Sequence, residues 1–191
     1  MTVCVFAASS SRIDSRYMQA AEELGSLFAR SKVNVIYGGG GIGLMGVLAD
    51  SVLENGGLIT GVIPSFMKDE GWHHPHVSDM IVTVDMGDRK KEMFAKADAV
   101  VALPGGVGTL EELTEAITLK QLGLFKGPVV ILNTLNFYKS FIDFLGQMVS
   151  GHFLRIEHQA IWEIAHTPKE VLSAISNRKD WIDDPRGIAK I

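Results

Sequence analysis

Short apolar runs and longer segments of helical period alternate along this chain. Six runs rich in β-branched residues predict strands, at residues 2–9, 33–38, 58–64, 80–85, 99–104 and 128–133. The segments between and after them predict helices at about residues 15–31, 43–55, 88–97, 109–122 and 136–150. Strands that are apolar at nearly every position are typical of parallel sheets with helices on both faces. The pattern therefore predicts an α/β fold with one doubly wound, mainly parallel sheet.

Length and composition favour a single domain. Of the 191 residues, 47% are hydrophobic and 21% are charged, which is enough to build a sizeable core. No linker or internal repeat divides the chain, so we predict one domain over residues 1–191. The stretch "HTPKE" predicts a further helix, capped by Thr167 and with Pro168 in its first turn. The tail from about residue 178 is expected to be peripheral.

Charge and cysteine content narrow the class of partner. The formal net charge is -4 without a long run of either sign, so nothing electrostatic favours a nucleic acid or an acidic membrane. The single cysteine, Cys4, lies in the apolar run "VCVFA", so the chain has no internal disulfide and we expect a buried thiol. No apolar stretch approaches the ~20 residues that span a bilayer. We expect a soluble, cytoplasmic protein without a nucleic-acid or membrane partner.

Four unusual turns follow predicted strands. They read "AASSS", "YGGGGIG", "DMGDRK" and "PGGVGT". Because ligands of doubly wound sheets bind beyond the carboxyl ends of the strands, we expect these turns to surround one cleft. Ser9, Gly40 and Gly41 are secondary candidates for contact with a nucleotide in that cleft.

The glycine-rich turn after the second strand fits three interpretations. Gly38, Gly40 and Gly43 match G-x-G-x-x-G, and a frame that starts at Gly41 matches it too. A dinucleotide site also requires an acid about 20 positions on, but the next strand ends in "GVIPS". The lysine of a P-loop is also missing at the required position. A dinucleotide site and a purely structural turn stay open, and we favour close approach of the backbone to a smaller nucleotide.

The turn "PGGVGT" joins a strand end to a helix start. Exposed amides and the positive end of a helix dipole bind anions there without a lysine. Gly105, Gly106 and Gly108 allow the backbone to approach a phosphate, and Thr109 is predicted to cap the helix. The alternative is an ordinary turn in which Thr109 and Glu112 form a capping box.

Acidic and basic residues are predicted to meet at this cleft. Glu111, Glu112 and Glu115 follow the turn, and uncompensated acids would repel a phosphate, so cations are expected nearby. Arg89 offers two-pronged hydrogen bonds to a phosphate or carboxylate, and Lys90 offers a compact charge. A solvated first helical turn is the alternative for both cations.

The loop "WHHPH" holds three histidines. His73, His74 and His76 are compatible with a metal site, but no cysteine or second imidazole cluster has ligand spacing elsewhere. We therefore expect no metal, and a solvated lid over the cleft. Trp72 is expected either to stack on a base or to anchor the loop.

Three segments in this order and spacing, "GGGGIGLMG", "MGDRKKEM" and "PGGVGTLEE", resemble the LOG family of cytokinin-activating phosphoribohydrolases, often labelled lysine decarboxylases. The similarity runs from about residue 2 to about residue 175. It implies a Rossmann-like, nucleotide-binding domain that forms a homodimer. It also implies hydrolysis of the N-glycosidic bond of adenosine monophosphate or its N6-modified relatives, which releases the base and ribose 5-phosphate without a cofactor.

The resemblance also implies roles for individual residues. The R-K pair of the family falls on Arg89 and Lys90, its motif glutamate on Glu112 and its sugar contact on Glu111. A glutamate before the fourth strand matches Glu70 across a gap. The substrate-binding loop covers Gly105, Gly106, Val107, Gly108, Thr109 and Leu110.

The sequence departs from the family at two positions. The family reads M-H-E-R-K where this chain has "MGDRK". Gly87 therefore lacks an imidazole and Asp88 is a shorter acid. Because Arg89, Lys90 and the glycine element are intact, the departure bears on substrate preference more than on phosphate binding.

A mechanism follows as a hypothesis. Breaking a glycosidic bond produces an oxocarbenium-like transition state that a carboxylate stabilises. We assign to Glu112 this stabilisation and the orientation or deprotonation of water. Arg89 is expected to hold the phosphate end or to assist charge on the departing purine, and Glu111 to hold the ribose hydroxyls.

Two rival functions remain. One is a non-catalytic carrier of a phosphorylated nucleotide or cofactor, as in the similar molybdenum cofactor carrier proteins. The other is amino-acid decarboxylation, which the sequence supports little because no lysine lies in an obvious Schiff-base setting. The fold alone does not choose among these functions.

Overall fold

A computed structural model describes residues 1–176 together with residues 185 and 187. Within these residues one sheet contains seven strands, namely β1 (Thr2–Phe6), β2 (Asn34–Tyr37), β3 (Ile59–Pro64), β4 (Met80–Thr83), β5 (Ala99–Ala102), β6 (Val129–Leu132) and β7 (Trp162–Ala165). The α-helices are α1 (Ser15–Arg30), α2 (Gly43–Glu54), α3 (Ser65–Asp69), α4 (Met86–Lys96), α5 (Val107–Gln121), α6 (Lys139–Ser150) and α7 (Pro168–Ser176). Two short 3-10 helices cover Thr134–Asn136 and Ile156–Ile161.

The strands pair in parallel, in the order β4-β3-β2-β1-β5-β6-β7. From β1 the chain moves outward to β4, and it then returns to the other side of β1 with β5. This reversal leaves a crevice beyond the carboxyl ends of the central strands, where doubly wound sheets bind their ligands. The predicted α/β class and doubly wound, mainly parallel sheet are confirmed.

The core lies in two layers, one on each face of the sheet. Along β1, Val3 and Val5 face the layer of α1, α2 and α7, whereas Cys4 and Phe6 face the layer of α4, α5 and α6. The alternation arises because successive side chains of a strand point to opposite faces. Helices on both faces are thus confirmed, and so is the buried Cys4 thiol, whose pKa burial raises well above its ordinary value.

Two elements are missing from the sequence prediction. The edge strand β7 has four residues, and its first two, Trp162 and Glu163, are only half-buried, so it lacks a continuous apolar run. The helix α3 has five residues, too few to establish a period. Among the described residues, no helix has the length and apolar character needed to cross a bilayer.

Three predicted helix starts shift in the structure, and one of them is that of α5, which begins two residues early at Val107. The helix α4 begins two residues early because the Asp85 carboxylate accepts a hydrogen bond of 2.8 Å from the Asp88 amide. The helix α6 begins three residues late because Leu135 and Asn136 have positive φ, which an α-helix does not allow.

The helix predicted from the stretch "HTPKE" is confirmed. The helix α7 begins at Pro168, and the Thr167 hydroxyl accepts a hydrogen bond from the Glu170 amide. Of the tail expected to be peripheral from about residue 178, all but residues 185 and 187 lies outside the described residues.

Candidate active site

A cavity of about 510 Å³ opens at the carboxyl ends of the strands. Each of the four unusual turns contributes to its wall, so their predicted meeting around one cleft is confirmed. The lining residues are Ala7, Ala8, Ser9, Gly38, Gly40, Gly41, Ile42, Met45, Ile63, Met67, Trp72, Met86, Arg89, Gly106, Gly108, Thr109, Glu111 and Glu112.

Most of the predicted site residues line this cavity. Those that do are Ser9, Gly40, Gly41, Arg89, Gly106, Gly108, Thr109, Glu111 and Glu112. Those outside the lining are Glu70, Lys90, Gly105, Val107 and Leu110. Glu70 is exposed at the end of α3, and the Val107 side chain is 84% exposed, so both are oriented largely to solvent.

Two glycines of the turn after β2 have specific packing roles. A Cβ on Gly38 would lie 2.0 Å from Nη2 of Arg89, so the absence of a side chain makes room for this guanidinium. Gly43 has a φ of 68°, and a Cβ there would lie 2.6 Å from the backbone of Ser9 and Ser10. Structural demands therefore explain these two glycines, and Gly38 also lines the cavity together with Gly40 and Gly41.

Arg89 and Glu112 form a buried ion pair in the cavity wall. Nη1 of Arg89 donates to Oε1 of Glu112 at 2.8 Å, and both residues are only 7% exposed. The same guanidinium donates from Nε to the Val62 carbonyl at 3.0 Å and from Nη2 to the Gly38 carbonyl at 3.3 Å. These contacts from α4 to two strand ends fix the orientation of Arg89.

The burial of Glu112 has an electrostatic consequence. Burial raises the pKa of Glu112 above its ordinary value, and the charge and hydrogen bond of Arg89 partly oppose this rise. A carboxylate with a raised pKa beside a cavity is a candidate for proton transfer, or for stabilising positive charge that develops next to it.

The start of α5 presents backbone amides to the cavity. Gly106 is the N-cap in an extended conformation and the helix begins at Val107, so Thr109 is its third residue. The prediction that Thr109 caps the helix is wrong, and so is the capping box with Glu112. The first amides of the helix have no partner within it, and a Cβ on Gly106 or on Gly108 would meet no atom within 4 Å. This end of α5 is open to an anion.

Gly105 packs closely against the Thr109 side chain. A Cβ on Gly105 would lie 2.2 Å from Oγ1 of Thr109, a residue that is 5% exposed. Gly105 therefore allows the turn to close on the buried threonine. The glycine at this position is required by packing, while its neighbour Gly106 faces open space.

Lys90 contacts two acids on α5. Its Nζ contacts Oε1 of Glu111 and lies 2.6 Å from Oε2 of Glu115. The Lys90 side chain is 15% exposed and lies outside the cavity lining, whereas Glu111 is part of it. The predicted meeting of acids and cations is thus confirmed, but Lys90 contacts α5 instead of the open side of the cavity.

One wall of the cavity is apolar, and little in the sequence indicated it. Its side chains come from the start of α2, from β3, from α3 and the loop after it, and from the start of α4. They are Ile42, Met45, Ile63, Met67, Trp72 and Met86. Trp72, which was expected either to stack on a base or to anchor its loop, lies in this wall and is 53% exposed. Short-range pattern could not identify this wall, because its residues come from three separate parts of the chain.

The histidine loop is docked on the glycine turn. The Gly41 amide donates to the Trp72 carbonyl at 3.1 Å, and the His74 amide donates to the Gly39 carbonyl at 2.9 Å. His74 is 2% exposed, and its Nε2 lies 3.1 Å from Oδ1 of Asp50 on α2. The expectation that the whole lid is solvated is wrong at His74, whose imidazole fastens the loop to α2.

Two of these histidines lie close to a carboxylate. Asp50, His74 and His76 offer ligand atoms within 4.8 Å of one another. Nδ1 of His74 accepts a hydrogen bond of 3.2 Å from the His76 amide, and Nε2 faces Asp50, so both ring nitrogens already have partners. A neutral imidazole in this arrangement has no free lone pair for a cation, and the expectation of no metal remains a prediction.

Comparison with known proteins places the chain among characterised relatives. The family model described as "Possible lysine decarboxylase" matches residues 45–175. A cytokinin riboside 5'-monophosphate phosphoribohydrolase from Oryza sativa subsp. japonica is 41% identical over 171 residues, which is 89% of this chain and 70% of the relative. One from Arabidopsis thaliana is 37% identical over 177 residues, covering 93% of this chain and 78% of the relative.

Solved structures extend the likeness at the level of the fold. The molybdenum cofactor binding protein from the phototrophic bacterium Rippkaea orientalis superposes with a TM-score of 0.70, covering 92% of this chain and 94% of that chain at 22% identity. The Moco carrier protein from Chlamydomonas reinhardtii gives a TM-score of 0.69, with the same coverage and identity. At this identity they support only the shared architecture, whereas the curated relatives match by sequence along most of the chain. The chain therefore belongs to the LOG family of cytokinin riboside 5'-monophosphate phosphoribohydrolases.

Proposed function

We propose that this protein hydrolyses the N-glycosidic bond of a purine nucleoside 5'-monophosphate and releases the free base and ribose 5-phosphate. The observation that carries the proposal is the buried Arg89–Glu112 pair, which lies in the same cavity as the open start of α5. The names of the curated relatives support the same activity.

The phosphate end of the substrate is assigned to the turn before α5. Unpaired amides at a helix start, together with the positive end of the helix dipole, favour an anion. Gly106 and Gly108 leave open space at this point, so a phosphate can approach the backbone closely. Binding energy from the phosphate, which lies away from the bond that breaks, then positions the ribose for reaction.

The chemical step is assigned to Glu112 and Arg89. As the bond to the base breaks, positive charge grows on the ribose, and the Glu112 carboxylate stabilises it and orients the attacking water. Three of the five N–H groups of Arg89 donate to protein oxygens, so two remain for the substrate. Arg89 thus holds Glu112 in place and offers donors to the phosphate end or to the departing base.

The base is assigned to the apolar wall. Trp72, Met67 and Met86 lie in it, and an aromatic ring beside a methionine suits a purine or an apolar N6 substituent. Gly87 is exposed on α4 and outside the cavity lining, so the missing family imidazole leaves that position open to solvent. An N6-modified adenosine monophosphate of the cytokinin type is the substrate that this wall favours.

The test is a direct assay of base release. Purified protein is incubated with adenosine monophosphate and with its N6-isopentenyl derivative, and the free base is followed by chromatography. The native protein should release base from both, and Glu112→Gln should lower kcat by about 10²- to 10⁴-fold while retaining nucleotide binding. Adenosine without a phosphate serves as the matched substrate control and should react poorly.

Two outcomes would count against the proposal. A Glu112→Gln variant with the native rate would remove Glu112 from the chemical step. No base release, combined with tight nucleotide binding in calorimetry, would favour the non-catalytic carrier of a phosphorylated nucleotide or cofactor.

We further propose a cytoplasmic homodimer with no cofactor and a small nucleotide as its partner. The buried free thiol of Cys4 suits a reducing compartment. Leu122 and Leu124, at the end of α5, are 41% and 62% exposed, which suits a subunit contact. Light scattering coupled to gel filtration measures the oligomeric state, and a monomer at micromolar concentration would contradict the dimer.

A further inference from the structure

Lys90, Glu111 and Glu115 form a cluster of charges beside the cavity, between α4 and α5. The two glutamates are four residues apart on α5, so they lie on the same face of the helix, where like charges repel. Nζ of Lys90 contacts both carboxylates, at 2.6 Å from Glu115. The positive charge of Lys90 therefore offsets the repulsion between the two carboxylates.

The members of the cluster differ in exposure. The side chain of Glu111 is 55% exposed and lines the cavity, and that of Glu115 is 34% exposed and lies one helical turn further from it. The Oε2 atom of Glu115 is shielded from solvent. The contact between Lys90 and Glu115 is thus the more enclosed of the two contacts. It holds the Lys90 ammonium next to the more exposed Glu111.

The position of Glu111 indicates what it meets. The start of α5 contributes Gly106, Glu111 and the buried Glu112 to the wall of one cavity. In a nucleoside 5'-monophosphate, the ribose lies between the phosphate and the bond that breaks. A further carboxylate that lines the cavity of the phosphate turn and Glu112 can accept hydrogen bonds from this ribose, and two vicinal hydroxyls suit its two oxygens.

We propose that Lys90 and Glu115 are positioning residues: Glu115 anchors the Lys90 ammonium, Lys90 orients the Glu111 carboxylate, and the cluster selects ribose over 2'-deoxyribose in the substrate. The proposal rests on the proposed function, because it assigns the sugar of that substrate. It gives Lys90 a role through Glu111 instead of a direct contact with phosphate.

The experiment compares adenosine monophosphate with 2'-deoxyadenosine monophosphate. Glu115→Gln keeps the size of the side chain but removes the charge that anchors Lys90. It should lower kcat/KM for the ribonucleotide by roughly tenfold, the usual scale for losing a hydrogen bond between charged groups. It should lower kcat/KM for the deoxyribonucleotide less, because that substrate offers Glu111 only one of the two hydroxyls, so the selectivity for ribose falls. Lys90→Met should have the same signature.

Two surface variants are matched controls. Glu92→Gln removes an acid on α4 that is paired with Lys96 at 3.9 Å, and Lys91→Met removes a lysine that is 81% exposed. Neither should change the selectivity. A double-mutant cycle adds the decisive comparison, because in a Glu111→Gln background the Glu115→Gln change should cause no further loss of selectivity.

Three results would overturn the proposal. The first is an equal loss of kcat/KM for both nucleotides, which would instead indicate a contact of Lys90 with the phosphate or a general loss of structure. The second is an additive effect in the double-mutant cycle. The third is unchanged selectivity in Glu115→Gln.

Failure of the proposed function is recognised separately. If the native protein releases no base from any nucleotide, the native protein and the same variants are compared by calorimetric binding of the two nucleotides. A lower preference for the ribonucleotide in Glu115→Gln would still support the positioning role, and an unchanged preference would reject it.

Discussion

Replacing Arg89 by Met tests whether the buried ion pair is the central feature of the site. The variant keeps an apolar stem of similar length but leaves the Glu112 carboxylate, 9% exposed, without its charged partner. It also leaves the Val62 and Gly38 carbonyls without the hydrogen bonds that they accept from Arg89. Removing one member of a buried pair costs about 3–5 kcal/mol. For a chain of this length, the lower figure corresponds to a fall in Tm of roughly 6–12 °C.

The loss should depend on pH in a defined direction. Burial already raises the pKa of Glu112 and Arg89 opposes the rise, so removing Arg89 raises the pKa further. A carboxyl whose pKa is higher in the folded protein than in the unfolded chain destabilises the fold when it must be ionised. The penalty is absent below the unfolded pKa of about 4.3, and it is fully present above the folded pKa. The variant should therefore differ from the native protein more at pH 8 than at pH 5.

Thermal unfolding followed by circular dichroism at both pH values provides the measurement. Lys91→Met, on the exposed face of the same helix, is the control and should unfold with the native protein. Combining Arg89→Met with Glu112→Gln should restore much of the lost stability at pH 8, because the unpaired charge is gone. An equal loss at both pH values, without recovery in the double variant, would refute the electrostatic account.

Three further changes probe other parts of the cavity. Gly38→Ala places a Cβ 2.0 Å from the Arg89 guanidinium, so base release should fall at least tenfold in the chromatographic assay, and a native rate would show that Arg89 tolerates displacement. Gly106→Ala meets no atom within 4 Å, so Tm should stay unchanged while KM for the nucleotide rises about tenfold, and an unchanged KM would place the phosphate elsewhere. Trp72→Ala removes a ring from the apolar wall, so KM should rise roughly tenfold at constant kcat, and an unchanged KM would exclude stacking on the base.

The general architecture could be predicted because it depends on short-range pattern. Strands buried between two helical layers are apolar at every position, as Val3 to Phe6 are in β1, and this signal survives in one sequence. The edge strand β7 fails the same criterion because Glu163 and Ile164 face partly to solvent. Edge strands are covered less than central ones, so their sequences carry less of the pattern by which strands are recognised.

The location of the site was predictable for a topological reason. Parallel strands of a doubly wound sheet end at one edge, so turns that are far apart in the sequence must meet there. Ser9, Gly40, Arg89 and Gly106 do meet around the cavity. The docking of the Trp72 loop on the glycine turn depends instead on hydrogen bonds between backbone atoms, which any residue type makes. No residue pattern could have indicated it.

The division of roles between the two adjacent cations shows where prediction from sequence stops. Neighbouring residues on a helix point about 100° apart, so Arg89 and Lys90 cannot face the same group. The sequence identifies both as cations beside a phosphate turn, but only the packing of α4 against the sheet determines which one faces inward. Arg89 lies against the ends of β2 and β3 and reaches Glu112, and this leaves Lys90 directed at Glu111 and Glu115 on α5. One cation is therefore available to the reacting bond, while the charge of the other is committed to an acid that lines the same cavity.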